Sequence, residues 1–286
     1  MTFAKKLLQK RIWKRILLER LTEPLHLNLL SLVVRGVGSF RTMVAWDLVL
    51  RQHNAYGLLK AADEARKHGV TEITAIEFGV AAGAGLMNMA LIAQRVEQET
   101  GVNIQIVGFD TGAGMPPPRD YRDHPDLYGA GDFPMDVAKL RSSLPENAEL
   151  VIGEMEQTVP RWLADNGGKR PIGYVVVDTD YYFSSVQALR VLTGPASTCL
   201  PTVVVFLDDI MFDEHNSWCG ELLAISEFNQ ANKCRKIERP SFIQSTRVFK
   251  NAPWLKQIYF CHVLDHNRRQ VIATKREVAV LENPYF

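Results

Sequence analysis

The sequence predicts an α/β fold built on one doubly wound, mostly parallel sheet. Three observations lead there. Strand-like and helix-like segments alternate five times between residues 54 and 229. The strand-like runs are almost continuously apolar, as in strands covered by helices on both faces. Acidic residues and glycines follow those runs directly, where open parallel sheets place their ligands.

Residues 54–68 carry a helical pattern that Gly69 ends, at the position where a left-handed residue closes a helix. Residues 73–78 read as the first strand, 85–98 as a helix and 102–109 as the second strand. A loop rich in Gly, Pro and Asp spans 111–133. A short helix at 135–142 leads to a strand at 149–152. Residues 156–164 read as a helix, 172–177 as a strand, 184–192 as a helix, and 202–207 as a β-branched strand. A helix from about 218 to 229 closes the alternation. Residues 235–238 and 257–264 read as two further strands forming an antiparallel end of the sheet. Three regions follow: a basic helical N-terminal extension (1–52), the α/β domain (53–264) and a polar C-terminal tail (265–286).

Composition excludes several classes of function. The 286 residues hold 33 Lys and Arg against 32 Asp and Glu, so no excess positive charge calls for a nucleic acid partner. Cys199, Cys219, Cys234 and Cys261 lie far apart without a CxxC pair, which reads as buried thiols in a reducing cytoplasm. The early apolar run, residues 25–34, is too short for a bilayer span and contains His26, Asn28 and Ser31. The first 20 residues place Lys5, Lys6, Lys10, Arg11, Lys14, Arg15 and Arg20 against a single acid, Glu19. A basic helix on anionic lipid is one reading. The other is packing on the domain or on a sister subunit of a homo-oligomer. Phe3, Leu7, Leu8, Ile12, Trp13, Ile16 and Leu17 spread around the helical wheel, which favours packing over lipid.

The ends of the strands carry the chemistry. The first ends in Glu77-Phe-Gly79-Val-Ala-Ala-Gly83-Ala-Gly85 and turns straight into a helix. Asn88 stands where a dinucleotide fingerprint would have its last glycine, so that pattern fails. Asp110 ends the second strand, close to the ~20-residue offset at which an acid accepts hydrogen bonds from ribose hydroxyls. The third strand leads to Gly153 and Glu154, beside an adenine in folds of this kind or simply at a helix N-terminus. The fourth ends in Asp178-Thr-Asp180 and the fifth in Asp208-Asp209. Carboxylates delivered to one edge by two strands repel each other unless a cation neutralises them, and no basic residue is near in sequence. A hard divalent ion such as Mg²⁺ prefers such oxygens. Helix capping explains one or two of these aspartates, not the set.

Taken together, Glu77-Phe-Gly79-Val, Gly108-Phe-Asp110-Thr, Gly114-Met-Pro116, Gly153 through Pro160, Val177-Asp178-Thr-Asp180-Tyr181 and Leu207-Asp208-Asp209 resemble the macrocin O-methyltransferase family, and more distantly catechol O-methyltransferase. The resemblance runs from about Ile76 to Asn229. It implies a Rossmann-like class I fold, S-adenosylmethionine held by Glu77, Gly79, Gly83, Gly85, Asp110, Gly153 and Glu154, and Mg²⁺ held by Asp178, Asp208 and Asp209. The sequence departs from the family where Thr179 and Tyr182-Phe183-Ser184 replace Gly and Tyr-Glu-Ser. It departs again where Gly112-Ala113-Gly114 replaces Phe-Glu-Gly. Two loops, 116–134 with Arg119, Tyr121, Arg122, His124 and Tyr128, and 210–219 with Asp213, Glu214, His215 and Trp218, frame the acceptor side. The expected activity is methyl transfer to a hydroxyl of a small-molecule sugar or polyol, with Asp180 or His215 as base. A metal-dependent hydrolase and a catalytically silent cofactor-binding protein are the alternatives.

Overall fold

The computed structural model describes residues 20–270 and 281–283. The basic segment before residue 20 and most of the tail, with the expectations placed on them, lie outside the described residues. Seven strands form one sheet: β1 (Glu72–Phe78), β2 (Asn103–Asp110), β3 (Ala148–Ile152), β4 (Ile172–Val177), β5 (Cys199–Leu207), β6 (Arg235–Glu238) and β7 (Ile258–Val263). Their order is β3-β2-β1-β4-β5-β7-β6. β1 to β5 are parallel, and β7 runs antiparallel to both β5 and β6. The mixed end of the sheet therefore matches the sequence expectation, with β7 inserted between β5 and β6.

Alternating side chains feed two core layers. Ile73, Ala75, Val204 and Phe206 face α3 (Gln52–Lys67) and α4 (Ala84–Thr100). Ile76, Phe78, Val203 and Val205 face the layer formed with α6 (Met155–Asn166), α7 (Tyr182–Leu189) and α8 (Gly220–Ala231). β4, Ile-Gly-Tyr-Val-Val-Val, is buried along its whole length. This explains why its apolar run is unbroken rather than alternating.

Several boundaries differ from the sequence reading. β5 starts at Cys199, not at residue 202, because Pro201 lies within the strand and masks its first residues. α5 (Val137–Ser143) starts two residues late, capped by Asp136, whose side chain accepts from Lys139 N. α7 starts at Tyr182 and passes into a 3₁₀ turn, Arg190–Leu192.

Ahead of α3 lie α1 (Leu25–Val37) and α2 (Phe40–Ala45). Leu25, Leu29, Leu32, Val33 and Val37 of α1 are exposed, whereas Phe40 and Val44 of α2 are buried. This stretch is fastened to the chain before β7. Glu23 accepts from the backbone N–H of Lys250 and Asn251, both at 2.7 Å. Arg247 pairs with Asp47 at 2.6 Å, both almost fully buried, and donates to the Val44 carbonyl. The structure is thus continuous through residue 52, where the sequence suggested an extension gives way to the domain. No helix among the described residues is long and apolar enough to cross a membrane.

Candidate active site

Strand order reverses between β1 and β4, and a cavity of about 510 Å³ opens at their carboxyl ends. Both the place and the size are usual for ligand sites in open α/β sheets. Glu77, Gly79, Gly85, Asp110, Glu154, Asp178, Asp180, Asp208 and Asp209 all line it. Of the other residues given a cofactor or catalytic role from the sequence, Gly83, Gly153 and His215 do not.

The glycine loop is shaped by close packing at two points. Gly79, at φ 82°, lies so near β4 that a Cβ there would sit 1.7 Å from the Asp178 carbonyl oxygen. A Cβ on Gly85 would sit 1.8 Å from Glu77 Oε1. The two glycines therefore let the loop and the start of α4 close around the end of β4 and the Glu77 carboxyl group. Glu77 is buried, and its Oε2 has no hydrogen-bond partner. Burial pushes its carboxyl up to about 8, opposed by Arg51 and reinforced by Asp208 and Asp110.

Asp110 is held differently. Its Oδ2 accepts from Val80 N at 2.8 Å and Ala81 N at 3.0 Å, and its Oδ1 from Gly112 N at 2.7 Å. An ionised carboxylate offers about four acceptor positions, so roughly one is left for a ligand rather than the pair expected from sequence. Glu154 stands at the N-cap of α6 but makes no capping hydrogen bond. The residue lines the cavity.

At the other end, Asp178, Asp208 and Asp209 offer oxygens all within 4.8 Å of one another. Oxygens bound to one Mg²⁺ at ~2.1 Å lie at most ~4.2 Å apart, and around Ca²⁺ at most about 5 Å. The trio thus has the spacing of a cation site, needing slight contraction for the smaller ion. Burial, with the neighbouring acids, raises the Asp178 and Asp209 carboxyls far above the usual range. Asp180 adopts a left-handed φ of 55° in a tight turn, with Tyr181 N donating to the Thr179 carbonyl at 2.5 Å. Such strain in a non-glycine residue persists only where the surroundings fix it. Here Asp180 N donates to Asp209 Oδ2 at 3.1 Å.

Three contributors escaped the sequence reading. Glu221, in the first turn of α8 and almost fully buried, accepts from Thr179 N and Asp209 N, bracing the ends of β4 and β5. An acid at a helix start is too common to stand out in a sequence. Asp123 accepts from Arg119 N and Phe183 N, pinning the 111–133 loop to the start of α7. Arg119 and Arg122 lie over the Phe183 ring at 4.7 and 4.6 Å. Arg51 lines the cavity from ahead of α3, so the acids do have a basic neighbour, distant in sequence. His215 packs 5.1 Å from His124 and 5.2 Å from Phe212, between ring centroids, with both ring nitrogens buried and unbonded. Burial lowers its pKa.

These features define a class I, Rossmann-like α/β fold of the kind found in methyltransferases. No family model and no curated protein matches the sequence. Among solved structures, the chain is similar to the O-methyltransferase NovP, at 13% identity and a TM-score of 0.50, over 74% of this chain and 79% of that one. It is also similar to CalS11, a calicheamicin methyltransferase, at 22% identity and a TM-score of 0.49, over 76% and 82%.

Proposed function

We propose that the protein transfers a methyl group from S-adenosylmethionine to a hydroxyl of a sugar or polyol, with a divalent cation such as Mg²⁺ at the aspartate trio. One observation supports this above the others. The glycine loop with Glu77 and Asp110, and the trio Asp178, Asp208 and Asp209, line the same cavity. A hydrolase would use the trio alone. The sugar or polyol acceptor rests on the motif resemblance.

The residues fit both groups. Glu77 Oε2 is a buried acceptor with no partner, suited to a cationic ligand. The trio is an all-oxygen donor set with mutual repulsion to relieve. When bound, the sulfonium donor supplies an electrophilic methyl group and the cation supplies a Lewis acid that acidifies the acceptor hydroxyl. The chain supplies position and proton transfer. Asp110 holds Val80 and Ala81, and with them the loop under the donor. Asp180, at the cavity wall, takes the hydroxyl proton as the new C–O bond forms and the C–S bond breaks. The Phe183 platform under Arg119 and Arg122 shapes the acceptor side. His215 lies behind this wall, so Asp180 is the base in this reading.

The test is methyl transfer from labelled S-adenosylmethionine to a panel of glycosides and polyols, with and without EDTA. The expected result is turnover that EDTA abolishes and Mg²⁺ restores. Full turnover in EDTA would remove the cation role. Hydrolysis of a glycoside without methylation would support the hydrolase instead.

A further inference from the structure

Arg51 is the unexplained cation of the cavity. It stands immediately before α3 with φ 54° and ψ 70°, a left-handed conformation uncommon for any residue that carries a Cβ. That conformation is held from behind. The Arg51 carbonyl accepts from Asn54 N and Ala55 N. The buried Asn54 side chain donates to Asn88 Oδ1 and accepts from the Tyr174 hydroxyl. Asn88 in turn donates to the Leu50 carbonyl. Helices α3 and α4 and strand β4 thereby fix the backbone at residues 50 and 51. Asn88, which breaks the dinucleotide fingerprint in the sequence, is part of this brace.

The side chain so presented lines the cavity beside Glu77, Gly79 and Asp178. Among the described residues, its guanidinium has no hydrogen bond and no ion pair within 4.0 Å. A simple counter-ion for the aspartates would be in contact with one of them. Glu77, buried in the same cavity, has its own unpartnered oxygen. Among the described residues, Arg51 and Glu77 thus bring to the same cavity a guanidinium without an ion pair and an acid with an unpartnered oxygen. A ligand with a carboxylate and an ammonium on neighbouring atoms satisfies both, and an α-amino acid group is such a ligand.

We infer that Arg51 anchors the carboxylate of the methionyl group of the methyl donor, while Glu77 receives its ammonium. This rests on the proposed use of S-adenosylmethionine. The planar guanidinium suits a carboxylate through two parallel hydrogen bonds. Its left-handed backbone aims it without spending side-chain freedom on a protein partner.

The experiment compares two ligands by titration calorimetry on the full chain. S-adenosylhomocysteine carries the amino acid group, and 5′-methylthioadenosine lacks it. Wild type should bind both. Arg51→Met should weaken S-adenosylhomocysteine tenfold to a hundredfold and 5′-methylthioadenosine less than threefold, with Arg51→Lys in between. Glu77→Gln should show the same ligand selectivity, which keeps the test open if one variant folds poorly. Unchanged S-adenosylhomocysteine binding in Arg51→Met, or equal losses for both ligands, overturns the anchor while leaving the donor assignment standing. Wild type that binds neither ligand overturns the donor assignment, and the anchor with it. Tighter Mg²⁺ binding in Arg51→Met with S-adenosylhomocysteine affinity unchanged would make Arg51 a counter-ion and overturn the anchor.

Discussion

The two ends of the cavity satisfy their carboxylates by opposite means. At the β1–β2 end, Asp110 is surrounded by donors, with three backbone N–H groups within 3.0 Å. At the β4–β5 end, Asp178 and Asp209 are surrounded chiefly by other acids: Asp208, Asp180 and Glu221. Backbone amides are fixed partial charges that fold into place with the strand ends, so the first end is organised by the chain itself. In a cluster of acids each added carboxylate makes the others harder to ionise, and at Asp178 the charge of Arg51 opposes this without reversing it. On the proposed function, a cation from outside would complete the second end. Glu221 fits this division. It bonds the backbone of Thr179 and Asp209 and so sets the positions of the acids rather than their charge.

The largest effects should come from the acid-rich end and fall on turnover. Asp208→Asn removes one charge from the trio at nearly constant volume. Methyl transfer should drop by about a hundredfold to ten-thousandfold, the range for losing Lewis-acid or general-base help. S-adenosylhomocysteine affinity should stay within about threefold. Asp180→Asn should cost as much in turnover while leaving Mg²⁺ binding intact, because it acts on the proton and not on the ion. Equal losses of ligand affinity and turnover in either variant would erase the distinction between the two ends.

Asp110→Ala makes the reverse prediction and a smaller one. Three amides lose their acceptor, and the loop from Val80 to Gly112 loses its tie. Hydrogen bonds to a charged group contribute about 1.5–3 kcal/mol, so S-adenosylhomocysteine affinity should fall tenfold to a hundredfold. The response to added Mg²⁺, read as a rise in melting temperature, should be unchanged. A variant that lost its Mg²⁺ response but kept its ligand affinity would reverse the assignment of the two ends.

What the sequence made legible follows the same division of causes. Local patterns carried the strands, the glycine loop and the four strand-end acids at 110, 178, 208 and 209, because each sits directly after its own apolar run. The structure gathers those residues on one cavity. Arg51, Glu221 and Asp123 come from elements far away in sequence and meet the site only through packing. Nothing in their neighbourhoods sets them apart from an ordinary surface Arg, a helix-start Glu or a loop Asp. Gly83 is instructive in another way. It has the left-handed φ of 82° that the motif requires, but its missing side chain makes room for Leu140 rather than for a ligand. His215 is close in sequence to Asp208 and Asp209, yet it is not among the residues that line the cavity.

The smallest effect concerns the seam between the N-terminal segment and the acid-rich end. His53, two residues beyond Arg51, stacks on Phe206 of β5 with ring centroids 4.0 Å apart. Burial, and secondarily the charge of Arg51, lower its pKa from 6.5 to about 3. The folded state therefore keeps His53 neutral at pH values where the unfolded chain has already taken up a proton. Its stabilising contribution is complete above pH 6.5 and declines as pH falls from there towards 3. The buried acids at 77, 178, 209 and 221, with raised folded values, act in the other direction and lose stability as pH rises. His53→Phe keeps an aromatic ring against Phe206 and removes the titration. Compared with wild type, its unfolding free energy should improve by up to about 1.4 kcal/mol as pH falls from 6.5 to 5.5, with no pH-dependent difference above pH 7.5. Chemical denaturation at matched pH values measures this directly. Parallel curves for the two proteins across that range would show that His53 titrates normally, and that acid sensitivity arises elsewhere.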